Sequence, residues 1–240
     1  MRLFLIPVLV LLAIVSCSKD QNRMNLSGTV EGLKKGTIYL QKTSDTTLIV
    51  IDSVVVDGDS NFSFSVPLES PEVFYLYLDK NDGNTLNDRI TFFGEVGDIV
   101  INTKRGAFEG LAKVTGSKTN EKFMEYRNMI SNFNTTDLKY YQESIKAQRD
   151  SNVVKFDSIQ KLIDRNNLRS YLYTLNFALT NGDSYVAPYI ALSEAFDARL
   201  KYLDTINNAL TPEVANSIYG KKLQAYIKEI KENEKTNTEN

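Results

Sequence analysis

An α+β fold is predicted: an N-terminal antiparallel β-sandwich or partly open barrel, followed by an α-helical region. Three observations predict it. As far as about Gly116, apolar and polar residues alternate in short runs broken by Gly, Pro, Asn and Asp, which is the period of half-buried strands. From Ser117 onward the apolar residues recur every three or four positions, the period of helices. The composition, 42% hydrophobic and 24% charged, is that of a globular chain able to bury real cores.

Leu26-Ser27-Gly28-Thr29-Val30 and Thr37-Ile38-Tyr39-Leu40 alternate cleanly, and Gly32-Leu33-Lys34-Lys35-Gly36 between them reads as a turn. The β-branched run from Thr46 to Asp57 makes a long strand. Asp57-Gly58-Asp59 turns the chain into Asn61–Val66, whose Phe62, Phe64 and Val66 share one face. Pro67 and Pro71 bracket a break before Val73-Phe74-Tyr75-Leu76-Tyr77-Leu78, and a loop follows at Asp79-Lys80-Asn81-Asp82-Gly83-Asn84. Arg89–Phe93 and Asp98–Asn102 are joined through Gly94-Glu95-Val96-Gly97, and Lys113-Val114-Thr115 closes the set.

Ser117 or Thr119 caps the first helix, which has Glu121 in its first turn and a face of Phe123, Met124, Arg127 and Ile130. Thr136-Asp137 is expected to open a second helix carrying Leu138, Tyr141, Ile145, Phe156, Ile159 and Ile163. Further helices are expected from Arg169 to a stop at Asn181-Gly182, from Val186 to about Phe196, and briefly at Leu200–Leu203. Thr211-Pro212-Glu213 caps the last, which bears Val214, Ile218, Leu223, Tyr226, Ile227 and Ile230. The domain reading is a cleaved signal peptide over 1–16, a lipidated tether over 17–24 and a β-sandwich domain over 25–116. An α-helical region over 117–232 and a disordered tail over 233–240 complete it.

The leader rests on one residue. Cys17 is the single cysteine, and it ends an apolar run from Leu3 to Ser16 preceded by Arg2. The run is shorter than the roughly 20 apolar residues of a spanning helix, so it reads as a signal peptide. Ile14-Val15-Ser16-Cys17 resembles the bacterial lipobox, which implies diacylglycerol on the Cys17 sulfur, cleavage before it and acylation of the new N-terminus. The multiple chains of such an anchor would hold it permanently, at about 0.8 kcal/mol per buried CH₂. Expected partners are therefore the membrane, through that lipid, and an envelope protein or glycan. The expected location is the outer membrane, facing the periplasm.

What is missing narrows the chemistry. The chain has no histidine, which removes the commonest general acid/base and metal ligand. Lipid on Cys17 leaves no thiol for nucleophilic, redox or zinc chemistry. The net charge of −2 argues against a nucleic-acid binder. Carboxylate-only chemistry and Ser-Lys pairs remain open.

Leu26–Leu33 followed by Gly36–Leu40 resembles the opening of a domain of unknown function, number 4369, found in Bacteroidetes lipoproteins. Further matches are Ile51-Asp52-Ser53 with Asp57-Gly58, Phe62-Ser63-Phe64, Pro71, Gly94–Ile99, and Val114-Thr115-Gly116-Ser117 with Asn120. The resemblance implies a β domain, without established catalytic residues, that usually precedes a helical linker and a thioredoxin-like domain. Here no Cys-x-x-Cys pair exists, so the redox activity is not carried over.

Other motifs yield to plainer readings. Gly116-Ser117-Lys118-Thr119 lacks the glycine spacing of a phosphate loop. Asp57–Asn61 and Asp79–Asn84 begin like calcium loops, but Leu68 and Ile90 stand where the bidentate glutamate belongs. Glu95 and Asp98 could be imagined as paired carboxylates across a cleft, yet they flank a turn. Asp45-Thr46-Thr47, Asp52-Ser53-Val54, Asp157-Ser158-Ile159 and Asp204-Thr205-Ile206 match a three-residue pattern resembling O-glycosylation sites, too short to select any one. Tyr75 and Tyr77 alternate along one strand and are the candidate ligand-stacking surface. The expectation is a non-enzymatic, cofactor-free, membrane-anchored binding or interaction module. Its alternatives are the recognition part of a thiol-disulfide lipoprotein system and, behind that, a carboxylate-based hydrolase.

Overall fold

The computed structural model describes residues 22–44, 47–80 and 88–238. Cys17, the signal peptide, Asp45-Thr46 and most of the 79–84 loop lie outside these residues. Among the described residues eight strands come first: β1 Arg23–Glu31, β2 Lys35–Ser44, β3 Thr47–Asp57, β4 Asn61–Pro67, β5 Glu72–Asp79, β6 Arg89–Gly94, β7 Gly97–Lys104 and β8 Lys113–Thr115. Six α-helices of these residues follow: α1 Lys118–Arg149, α2 Val153–Thr180, α3 Val186–Ser193, α4 Leu200–Ala209, α5 Pro212–Ala215 and α6 Ile218–Thr238. The fold is α+β, as the change of period predicts.

The strands form two four-stranded sheets, ordered β4-β1-β7-β8 and β3-β2-β5-β6. Both are rich in antiparallel pairs, and β1 and β7 run parallel. That pair is possible because the chain between them crosses through the whole second sheet, and parallel neighbours need a long crossover. Inner faces meet in a core of Met24, Leu26, Phe62, Phe64, Ile99 and Ile101 against Ile38, Leu40, Phe74, Leu76, Ile90 and Phe92. Phe62, Phe64 and Val66 do share the buried face. Gly28 makes room for this packing: a Cβ there would lie 1.8 Å from the Ile101 carbonyl oxygen and 2.8 Å from the Phe62 ring.

The helices pack on the outer face of the second sheet. Their core gathers Phe123, Tyr126, Phe177, Ile190, Leu203 and Leu223 around Val73 and Phe93. Phe93 is the hub, with edge-to-face contacts to Phe123 at 5.5 Å, Tyr189 at 5.4 Å and Tyr219 at 6.0 Å. Hydrogen bonds pin the helix starts to the sheet. Ser117 Oγ accepts from Asn120 N and donates to Phe93 O, and Phe93 N donates to Asn120 Oδ1 at 2.9 Å. At α6, Ile218 N donates to Ser70 Oγ and Val73 N donates to the Tyr219 hydroxyl. Thus the capping groups of α1 also satisfy the backbone of the edge strand β6.

Several boundaries differ from the sequence reading, among them the helix expected from Thr211, which breaks at Asn216-Ser217 into α5 and α6. Arg23 and Met24, placed in the tether, already belong to β1, because Met24 is fully buried in the sandwich core. Thr136-Asp137 opens no helix; the Thr136 hydroxyl folds back onto Asn132 O and α1 runs on to Arg149. Its continuity comes from a seam with α2, where Asn166 Nδ2 bonds Asp137 Oδ1 at 2.8 Å and Gln160 Nε2 bonds Ser144 Oγ at 3.0 Å. The chain reverses instead at Asp150–Asn152, where Ser151 takes φ 55° and Asn152 caps α2, which absorbs the segment from Arg169. Lastly, α6 reaches Thr238 through most of the segment read as tail, whose Lys and Glu residues favour helix, and a Lys228–Glu232 pair braces the turn just before it.

Candidate functional site

The outer face of the second sheet is organised in cross-strand rows. Pairing sets Tyr39 opposite Tyr77 and Tyr77 opposite Arg89, which makes one row across β2, β5 and β6. The next row is Gln41, Tyr75 and Thr91, and beyond it Val73 faces Phe93. Burial grades along these rows as the helices come over the sheet. Phe93 and Val73 are 0% and 4% exposed, Tyr75 and Thr91 are half-buried, and Arg89 is exposed between half-buried tyrosines.

In the outermost row the Tyr39 and Tyr77 rings stack at 6.0 Å with their planes 27° apart. The Arg89 guanidinium carbon sits 5.4 Å from the Tyr77 ring centre and 5.8 Å from that of Tyr75. Such cation–π contacts are worth roughly 0.5–1 kcal/mol at exposed sites, enough to bias where the guanidinium rests. Among the described residues Arg89 makes no ion pair or hydrogen bond, so its donors face solvent. Gln41, 9% exposed, has an Oε1 without a hydrogen-bond partner among the described residues.

Tyr75 and Thr91 also floor a groove of about 450 Å³ where the sheet meets α1 and α3. Phe123, Tyr126 and Tyr189 wall it, with Arg127, Asn134 and Glu194 at the rim. Burial raises the Tyr126 and Tyr189 hydroxyls to about 12, so both are neutral donors over the physiological range. Arg127 is held by Glu109 at 3.6 Å and lies over Phe123.

The structure therefore keeps Tyr77 half-open and draws Tyr75 partly under the helices. It joins to them Tyr39, Arg89 and Tyr189, which sequence reasoning missed. Only strand register brings Tyr39 and Arg89 to Tyr77. Their one signal in the sequence is alternation, which places each on the polar face of its own strand.

The other motifs have structural work. Glu95 accepts from Lys118 N and the Thr119 hydroxyl at the start of α1, and Asp98 accepts from Asn25 Nδ2. Asp59 ties the β3–β4 turn through Asn61. Asp204 pairs with Lys231, and the Thr205 hydroxyl bonds Lys201 O within its helix. Among the described residues no group of three His, Cys, Asp or Glu side chains is placed to hold a metal. Likewise no helix among them is long and apolar enough to cross a membrane. Exposed apolar side chains also line β3 (Leu48, Val50, Val55) and the α1 half of the helical hairpin (Leu138, Tyr141, Ile145).

Fold and face together define a two-sheet β domain that carries a helical bundle on one sheet and leaves an aromatic row beside it. Residues 24–123 match the model of the family described as Domain of unknown function (DUF4369), a span from β1 through the first turns of α1. No thioredoxin-like family model matches the chain. Neither the curated proteins nor the solved structures yield a match.

Proposed function

We propose that the protein is a cell-envelope lipoprotein, anchored through lipid on Cys17, facing the periplasm and working as a non-catalytic binding module. The contact face is the Tyr39–Tyr77–Arg89 row with the adjoining groove. One observation carries this reading. An arginine whose donors have no partner among the described residues is held over two tyrosine rings, on the part of a sheet face that the described helices leave uncovered. Paired aromatics and Arg are the side chains that most often anchor interfaces, because they offer large rigid area and fork-like donors at low entropy cost. Glu95 and Asp98, the carboxylate pair singled out in the sequence, instead cap α1 and bond Asn25, which favours this reading over a hydrolase built on that pair.

Two measurements test the two halves. Metabolic labelling with a radioactive fatty acid is expected to mark the wild type and not Cys17→Ser, and equal labelling would overturn the anchor. A photo-crosslinking amino acid placed at Tyr77 is expected to form adducts in intact envelopes that the same probe at Lys113 does not form. Equal or absent adducts at both positions would overturn the binding face.

A further inference from the structure

The chemistry of the row selects a ligand class, and the inference rests on the binding-module reading above. We infer that the Tyr39–Tyr77–Arg89 face binds an acidic carbohydrate, one whose sugar rings lie on the tyrosines while a ring carboxylate takes the Arg89 guanidinium.

Three features lead there. First, the donors of Arg89 are unspent: it is exposed, it makes no ion pair or hydrogen bond among the described residues, and its guanidinium rests against the two tyrosine rings. A planar guanidinium fixed on an aromatic face presents the fork that carboxylates accept in bidentate fashion. Second, the two tyrosines lie on a sheet face, away from its edge. β2 and β5 are paired on both sides at Tyr39 and Tyr77, so no backbone is left there for an extended peptide to join, while β6, with Arg89, is the edge strand. Over the tyrosines recognition comes from side chains, and the row offers two stacked rings, two phenol hydroxyls and one cation. A ring-shaped ligand with an apolar face, hydroxyl groups at its margin and one negative charge matches that set. Third, the row continues without a break through Tyr75 and Thr91 into the groove, where Asn134, Ser131 and the Arg127 cation offer polar contacts for further sugar units.

The full-length lipidated protein in detergent, titrated with a tetramer of galacturonate and followed by calorimetry, tests the inference. The expected result is saturable binding that weakens at least tenfold in Arg89→Gln and in Tyr77→Leu, and that weakens with added salt. Lys113→Gln, on the first sheet, is expected to leave it unchanged. Three other results overturn the inference. Equal binding of the fully methyl-esterified tetramer removes the role of the carboxylate. Binding of tetraglutamate with no binding of the galacturonate tetramer replaces sugar by acidic peptide. No binding of any probe removes the ligand class altogether. In all three the binding-module reading stands or falls separately, on the crosslinks at Tyr77.

Discussion

The outer face of the second sheet is one surface by sequence and two by structure. On β5 and β6, Val73 and Phe93 lie under the helices, with Phe93 ringed by Phe123, Tyr189 and Tyr219. Two rows further along the same strands, Tyr77 and Arg89 remain outside. Both ends carry aromatic side chains on the same side of the pleat, so hydrophobicity alone does not separate structure from site. Coverage separates them. The covered end is fastened by Ser117, Asn120, Ser70 and Tyr219, whose polar atoms each satisfy a backbone group of the sheet or a helix start. At the open end the polar group, Arg89, makes no hydrogen bond or ion pair among the described residues.

That contrast can be broken first at Phe93. Phe93→Ala is expected to cost about 3–5 kcal/mol in chemical unfolding, as for large-to-small changes in packed cores. Tyr77→Ala is expected to cost about 1 kcal/mol or less, and comparable losses at the two positions would erase the distinction. The next effect lies in the pins. Asn120→Ala leaves the Phe93 amide buried without an acceptor and is expected to cost roughly 1–3 kcal/mol, while Asn120→Asp, which keeps an acceptor, is expected to cost less.

A third effect is in pH. Tyr126 and Tyr189 are raised to about 12 by burial, and Tyr219 is raised further for the same cause. In the unfolded chain these hydroxyls ionise near 10, so the folded form holds more protons above that pH. Their contribution to stability is intact below pH 10 and is lost as pH rises from 10 towards 12. Thermal unfolding of the wild type is expected to shift down steeply over that window, and Tyr219→Phe to shift less. A flat profile would mean that the covered end is wet. The smallest effect is expected at Gln41, whose unpartnered Oε1 is a buried cost; Gln41→Leu should be neutral or stabilise by up to about 1 kcal/mol.

Strand content was legible because each strand carries its own alternation between turn residues, as in Asn61–Val66. The Ser117 cap was legible for the same local reason, with a hydroxyl three residues before an amide that needs it. Thr136-Asp137 misled because a threonine can also bond back within its own helix, and only the seam with α2 decides which occurs. The candidate face was only partly visible in the sequence. Tyr75 and Tyr77 stand out in one strand, but Tyr39 and Arg89 come from strands far away in sequence and meet them only through register. Nothing in the local pattern of β5 says that the helices would stop between Tyr75 and Tyr77.

On the proposed function, the uncovered row recognises a ligand while the covered rows hold the fold. The most direct measurement is the yield of the envelope crosslink from a probe at Tyr39, in the wild type and in Arg89→Gln, with the melting temperature of each. Arg89→Gln is expected to lose most of the adduct while its melting temperature stays within about 3 °C of the wild type. An undiminished adduct, or a loss that merely follows unfolding, would contradict it.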